Sequence, residues 1–164
     1  MGSTVAVGMS EVKVSARAGD TLVALGLGSC IGVCLYDRRA KVAAMVHVML
    51  PESNGRGQSP GKFADTGVPL LVETIEKAGG SKKDCLCAIG GGAEVFSFSS
   101  STPGLAIGKR NGEAVKAALK TAGLRIMAED LGGNVGRTVS LDVATGVVKV
   151  RPVGGQEREL AKLG

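Results

Sequence analysis

The stretch Leu22–Leu50, LVALGLGSCIGVCLYDRRAKVAAMVHVML, constrains this chain most. Two apolar, β-prone runs flank a charged turn, Asp37-Arg38-Arg39-Ala40-Lys41, and that pattern predicts a β-hairpin. The turn sets the register. A two-residue loop at Arg38-Arg39 pairs residue 37 with 40; a four-residue loop over Asp37–Ala40 pairs 36 with 41. Either loop sets Cys30 directly opposite His47, with Cβ atoms roughly 4.5–5.5 Å apart. An odd loop would send the two side chains to opposite faces. A thiol beside an imidazole is the minimum arrangement for cysteine nucleophilic catalysis, and His47 is the only histidine in the chain.

At 164 residues the expectation is one domain spanning 1–164. With three Phe, one Tyr and no Trp, the core must be aliphatic, and base-stacking recognition of nucleic acid is disfavoured. The net charge of +5 comes from scattered Lys and Arg rather than a run. It fits a solvated surface or attraction to an acidic protein surface. No signal-peptide core occupies the first 16 residues and no window approaches a membrane span, so a cytoplasmic protein without membrane insertion is expected. In that compartment the four cysteines should be free thiols.

In chain order, Val5–Val14 reads as a strand broken near Ser10-Glu11, and Thr21–Leu27 as a second strand. Gly26-Leu27-Gly28-Ser29 then allows a sharp turn into Cys30. Such a turn can gather successive N–H groups, those of Ser29 and Cys30, into an oxyanion-binding concavity, or it can be a plain bend. After the hairpin, Glu52–Gly61 reads as a surface loop near enough to His47 to cover it. A helix is expected over Phe63–Ala78, with Asp65 or Thr66 as N-cap and Pro69 in the first turn. A strand at Asp84–Ile89 precedes Gly90-Gly91-Gly92, and Glu94–Phe98 reads as strand or loop. A second helix is expected at Arg110–Ala122, with Ala114, Val115, Ala118, Leu119 and Ala122 inward, and a strand at Leu124–Glu129. A hairpin of Arg137–Val143 and Val147–Val153 follows. The charged tail 154–164 is expected to fray. Strand-rich ends around two central helices indicate an α+β fold: a layered sandwich of mainly antiparallel sheet with helices on one side.

Other chemistries fit poorly. Cys30 and Cys34 lie roughly 13 Å apart along a strand rising ~3.3 Å per residue, too far to grip one zinc ion with Cys85, Cys87 and His47. No metal is expected, and Cys34, Cys85 and Cys87 read as buried, inert thiols. Gly26-Leu27-Gly28 begins a dinucleotide fingerprint, but the third required position is Ile31 and a strand follows. Gly90-Gly91-Gly92 lacks the Lys-Ser/Thr partner of a P-loop.

Blocks along nearly the whole chain resemble the CheD family of chemoreceptor glutamine deamidases: LGSCIGVCLYD (27–37), AAMVHVMLPES (43–53), GKFADTGVPLL (61–71), IGGGAEVF (89–96), IGKRNGEAV (107–115) and EDLGGNVGRTVSLDVATGVVKVR (129–151). The resemblance implies a sandwich similar to the catalytic domains of glutamine-deamidating toxins. It implies a cofactor-free conversion of glutamine to glutamate on the cytoplasmic domains of chemotaxis receptors. Cys30 would be the nucleophile, its pKa lowered by His47, and His47 the base and acid. A thioester would form and be hydrolysed. It further implies a CheC-type phosphatase partner, with Phe96 and Phe98 as candidate contacts. A mainly non-catalytic regulator of that phosphatase is the alternative. One position departs from the family. Ala24 stands where relatives carry a threonine, six residues before the cysteine. That leaves the third catalytic member open, a role a backbone carbonyl can fill.

Overall fold

The computed structural model describes residues 2–55, 59–94 and 106–164. Among the described residues, ten strands form two five-stranded sheets. One has the order β1 (Thr4–Ala6), β3 (Thr21–Leu27), β8 (Arg137–Asp142), β9 (Val147–Pro152), β10 (Arg158–Lys162). The other has the order β2 (Val12–Ser15), β5 (Val42–Val48), β4 (Ile31–Asp37), β6 (Cys85–Gly91), β7 (Ile126–Leu131). Pairing is antiparallel except for β1 with β3 and β6 with β7. Helices α1 (Ala64–Lys77) and α2 (Ile107–Thr121) cover the outer face of the β4-containing sheet. The expected α+β sandwich with helices on one side is borne out.

This layering explains the hydropathy patterns. Strands β4 and β5 are buried along their whole lengths because both faces are covered. Ile31, Val33 and Leu35 face the helices, against Val68, Leu71, Ile75, Val115 and Leu119. Cys34 and Tyr36 face the other sheet, against Leu22, Leu141 and Val148. Strand β8 alternates because its sheet is packed on one face only. At one edge Arg137 of β8 and Arg158 of β10 both grip the Asp130 carboxylate of β7, tying the two sheets together.

The hairpin forms, in a different register. Asp37 pairs with Val42, so the loop is Arg38–Lys41 and lies one residue later than expected. The cause is Asp37 itself. It stays in the strand, and its carboxylate accepts the N–H groups of Arg39 (2.8 Å), Ala40 (2.9 Å) and Ser81 (2.7 Å). Lys41 closes the turn at φ 57°. His47 therefore stands opposite Gly32, not Cys30. The shift is even in parity, so His47 stays on the inter-sheet face of β5, and Cys30, one residue before β4, packs against the cluster on that face.

Other expectations are corrected locally. The first strand does break at Ser10, which has φ 69°, and the two pieces join different sheets. Helix α1 is capped by Phe63, not by Asp65 or Thr66. The Asp65 carboxylate instead accepts the N–H and Oγ–H of Ser53, and Pro69 lies in the second turn. Helix α2 begins three residues early. The tail is not frayed: β10 pairs with β9, and Leu163 is fully buried against the inter-sheet core. Leu160, Ala161 and Leu163, interspersed with charged residues, gave no clear periodic signal for this. Within Glu52–Gly61, residues 56–58 fall outside the described residues, as do Phe96 and Phe98.

Candidate active site

Two crossings between the sheets build the site. The first runs from β3 to β4. Strand β3 carries a bulge between Ala24 and Leu27, with Gly26 at φ 61°, and the chain then bends through Gly28 and Ser29 into Cys30. The second runs from β1 to β2 and passes the edge of β5. There Ser10 donates its N–H to the His47 carbonyl (3.0 Å), and the His47 N–H donates to the Glu11 carbonyl (3.0 Å).

That second crossing brings the Val7 carbonyl to His47 Nδ1 at 3.0 Å. A carbonyl only accepts, so Nδ1 carries the proton and Nε2 is left as the lone-pair nitrogen. His47 is 4% exposed, on the inter-sheet face shared with Met45 and Ala43. Cys30 is half-buried and packs against the same inter-sheet cluster. Gly32, lying between them in register, projects no side chain into this space.

Ala24 is fully buried in the facing sheet. Its Cβ is 3.6 Å from where a Cβ on Gly32 would stand, so it looks directly onto the Gly32–His47 pair. The position at which the resemblance implies a threonine thus faces the Gly32–His47 pair. The hydrogen bond that would orient the imidazole comes from the Val7 carbonyl.

Electrostatics set the resting protonation. Burial pushes the Cys30 thiol up from its ordinary value, partly countered by a hydrogen bond from its own N–H. Burial pulls His47 down, partly countered by the Val7 carbonyl and the charge of Glu11. The pair rests as neutral thiol and neutral imidazole. The expected lowering of the thiol pKa is therefore corrected: the same desolvation disfavours both ions. The other three cysteines differ in kind. Cys85 and Cys87 are pushed up to about 12 by burial, their thiols donating to the carbonyls of Ser81 (3.3 Å) and Arg125 (3.1 Å). Burial also pushes up Cys34.

The turn carrying Cys30 is held by its carbonyls. That of Gly28 accepts from the Ala93 N–H (2.8 Å), and that of Cys30 from the Gly92 N–H (3.0 Å). The Ser29 carbonyl accepts from the side chain of Asn111 (2.9 Å), which also donates to the Met49 carbonyl (2.9 Å). Asn111 was missed by sequence reasoning. Its signal was a polar residue one turn before Val115, on the apolar stripe of α2.

Comparison with known proteins gives this arrangement a context. The family model for CheD chemotactic sensory transduction matches residues 49–152. The chain belongs to the CheD family. A protein of Symbiobacterium thermophilum named probable chemoreceptor glutamine deamidase CheD is 48% identical over 158 residues, 94% of this chain and 96% of the relative. The chemoreceptor glutamine deamidase CheD of Thermotoga maritima is 47% identical over 152 residues, 93% of this chain and 94% of the relative. The probable deamidase of Desulforamulus reducens is 45% identical, covering 90% of each chain. Alignments of that extent span Cys30 and His47, which precede the family-model match. Among the described residues no helix is long and apolar enough to cross a membrane.

Proposed function

We propose that this chain converts glutamine side chains of chemotaxis receptors to glutamate, with Cys30 as nucleophile and His47 as base and acid. The observation that carries this reading is the held tautomer of His47. With Nδ1 donating to Val7, Nε2 is the proton acceptor on the face where the Cys30 thiol lies. The names of the relatives supply the substrate class.

The chemistry follows from a neutral pair. As Sγ attacks the carboxamide carbon, the thiol proton passes to Nε2, so base and nucleophile act in one step. The negative charge that develops on the amide oxygen is met by N–H groups of the turn, those of Ser29 and Cys30. The imidazolium returns its proton to the nitrogen, ammonia leaves, and a thioester remains. Nε2 then takes a proton from water, hydroxide adds to the thioester, and the C–S bond breaks to give glutamate and the thiol. Every proton moves between Cys30, substrate, water and His47, and the cycle as written uses no cofactor. In the cell the chain would act on cytoplasmic receptor domains. A CheC-type phosphatase is the further partner that this reading admits.

The test is mass spectrometry of a receptor cytoplasmic fragment incubated with the protein. Glutamine-to-glutamate conversion is expected at defined sites, and Cys30→Ala should lower it on the order of 10⁴-fold or more. Undiminished conversion by that variant would overturn the assignment.

A further inference from the structure

We propose that Asn111 is a positioning residue for the Cys30 peptide. By drawing the Ser29 carbonyl toward α2, it turns the Cys30 N–H to the opposite side, where the thiol and His47 lie. The proposal rests on the Cys30–His47 reading above and adds a group that acts through the backbone.

Peptide geometry carries the first step. The Ser29–Cys30 peptide is trans, and across a trans peptide the carbonyl and N–H point in opposite directions. The Ser29 carbonyl points at Asn111 Nδ2, at 2.9 Å, so the Cys30 N–H of the same peptide points away from α2. That N–H lies by the Cys30 sulfur. It is the donor placed to meet an oxyanion formed at that sulfur.

The second step is the choice of tether. Three successive carbonyls fix this turn. Those of Gly28 and Cys30 are held by backbone N–H groups of Ala93 and Gly92. Only that of Ser29 is held by a side chain, so a single side chain governs the orientation of that peptide. The same Nδ2 spends its other proton on the Met49 carbonyl, two residues beyond His47. One amide group therefore couples the segment carrying Cys30 to the segment carrying His47.

The third step is what Asn111 leaves unpaired. The residue is fully buried, and among the described residues its Oδ1 has no hydrogen-bond partner. Both Nδ2 partners are acceptors only, so exchanging Oδ1 and Nδ2 would set an oxygen against two carbonyls.

Two variants test the role. Asn111→Leu keeps size and helix propensity and removes both donors. Asn111→Asp sets a carboxylate against two carbonyls when ionised and restores one donor when protonated. For Asn111→Leu, with thermal unfolding as the check on folding, kcat on a receptor fragment should fall roughly 10- to 100-fold with KM little changed, less than the roughly 10²–10³-fold for outright loss of an oxyanion donor because the N–H is misoriented rather than removed. Alkylation of Cys30 by iodoacetamide should shift to higher pH. The ratio of Asn111→Asp to Asn111→Leu activity should rise as pH falls, which a purely structural role would not produce. If the leucine variant unfolds, Asn111→Asp against wild type decides by the same pH trend. A folded leucine variant with wild-type kcat and alkylation profile would overturn the proposal, as would an Asn111→Asp variant without the pH trend. Wild-type protein that leaves receptor glutamines unconverted would refute the deamidase reading, while the alkylation comparison would still judge Asn111.

Discussion

Gly91→Ala should separate backbone geometry at the site from general stability. Gly91 ends β6 at φ 126°, a conformation L side chains rarely adopt. A Cβ there would stand 2.0 Å from the Cys30 carbonyl oxygen, against 3.4 Å for ordinary contact. The obstacle is backbone on both sides, so the Cys30 peptide must move by over an ångström. The move breaks the bond from the Gly92 N–H to that carbonyl. Backbone strain of ~1–3 kcal/mol and a lost hydrogen bond of about 1 kcal/mol give a cost near ~3 kcal/mol. Displacing the thiol by an ångström should lower kcat about 10²-fold. Gly123→Ala is the control. It has φ 77° and open space around its Cβ, so it should cost only ~1–2 kcal/mol and leave turnover per folded molecule intact. Urea unfolding gives the stabilities and conversion of a receptor fragment gives the rates. If Gly91→Ala loses no more stability than the control and turns over at the wild-type rate, the reasoning fails.

Further predictions follow from single interactions. Because burial disfavours imidazolium, the acid limb of kcat/KM should lie below the ordinary histidine value of 6.5; a limb above it in the pH–rate profile would contradict the neutral pair. Although burial opposes it, three backbone N–H bonds and the Arg39 charge hold the Asp37 carboxyl below its ordinary value, so Asp37 contributes stability above the unfolded pKa near 3.9 and loses it as pH falls through the folded one. Asp37→Ala should then cost about 2–3 kcal/mol at neutral pH by chemical denaturation, with the deficit shrinking in acid. Leu163→Ala should cost ~2–5 kcal/mol if the tail is core, whereas a frayed tail would show no change in urea midpoint. Ala24→Thr should change kcat by less than about tenfold, since the Val7 carbonyl already holds Nδ1; a larger gain would show that the orienting bond is inadequate.

Legibility in the sequence followed physical range. Strands with regular alternation, such as Arg137–Val143, and helices with a clean apolar stripe were readable because a local period reports a covered face. The inter-sheet face of His47 was readable because parity survives any even shift. Their exact pairing was not, because Asp37 keeps its place in the strand through a bond to Ser81, 44 residues away. Asn111 and Val7 were hidden for the same reason. Each acts through a contact made only when the two sheets and α2 are assembled. Desolvation of the pair likewise belongs to the assembled sandwich, so the thiol pKa could not be read from proximity to an imidazole.

The most direct measurement is acid-quench trapping of the covalent intermediate. A receptor cytoplasmic fragment is mixed with the enzyme in excess, quenched within a turnover, and the adduct is mapped by peptide mass spectrometry. A thioester on Cys30, joined through the former glutamine carbonyl with loss of ammonia, is expected in the wild type and absent in His47→Gln. Conversion of glutamine with no adduct on Cys30, in a quench series that spans the turnover time, or an adduct formed equally in His47→Gln, would contradict the assignment.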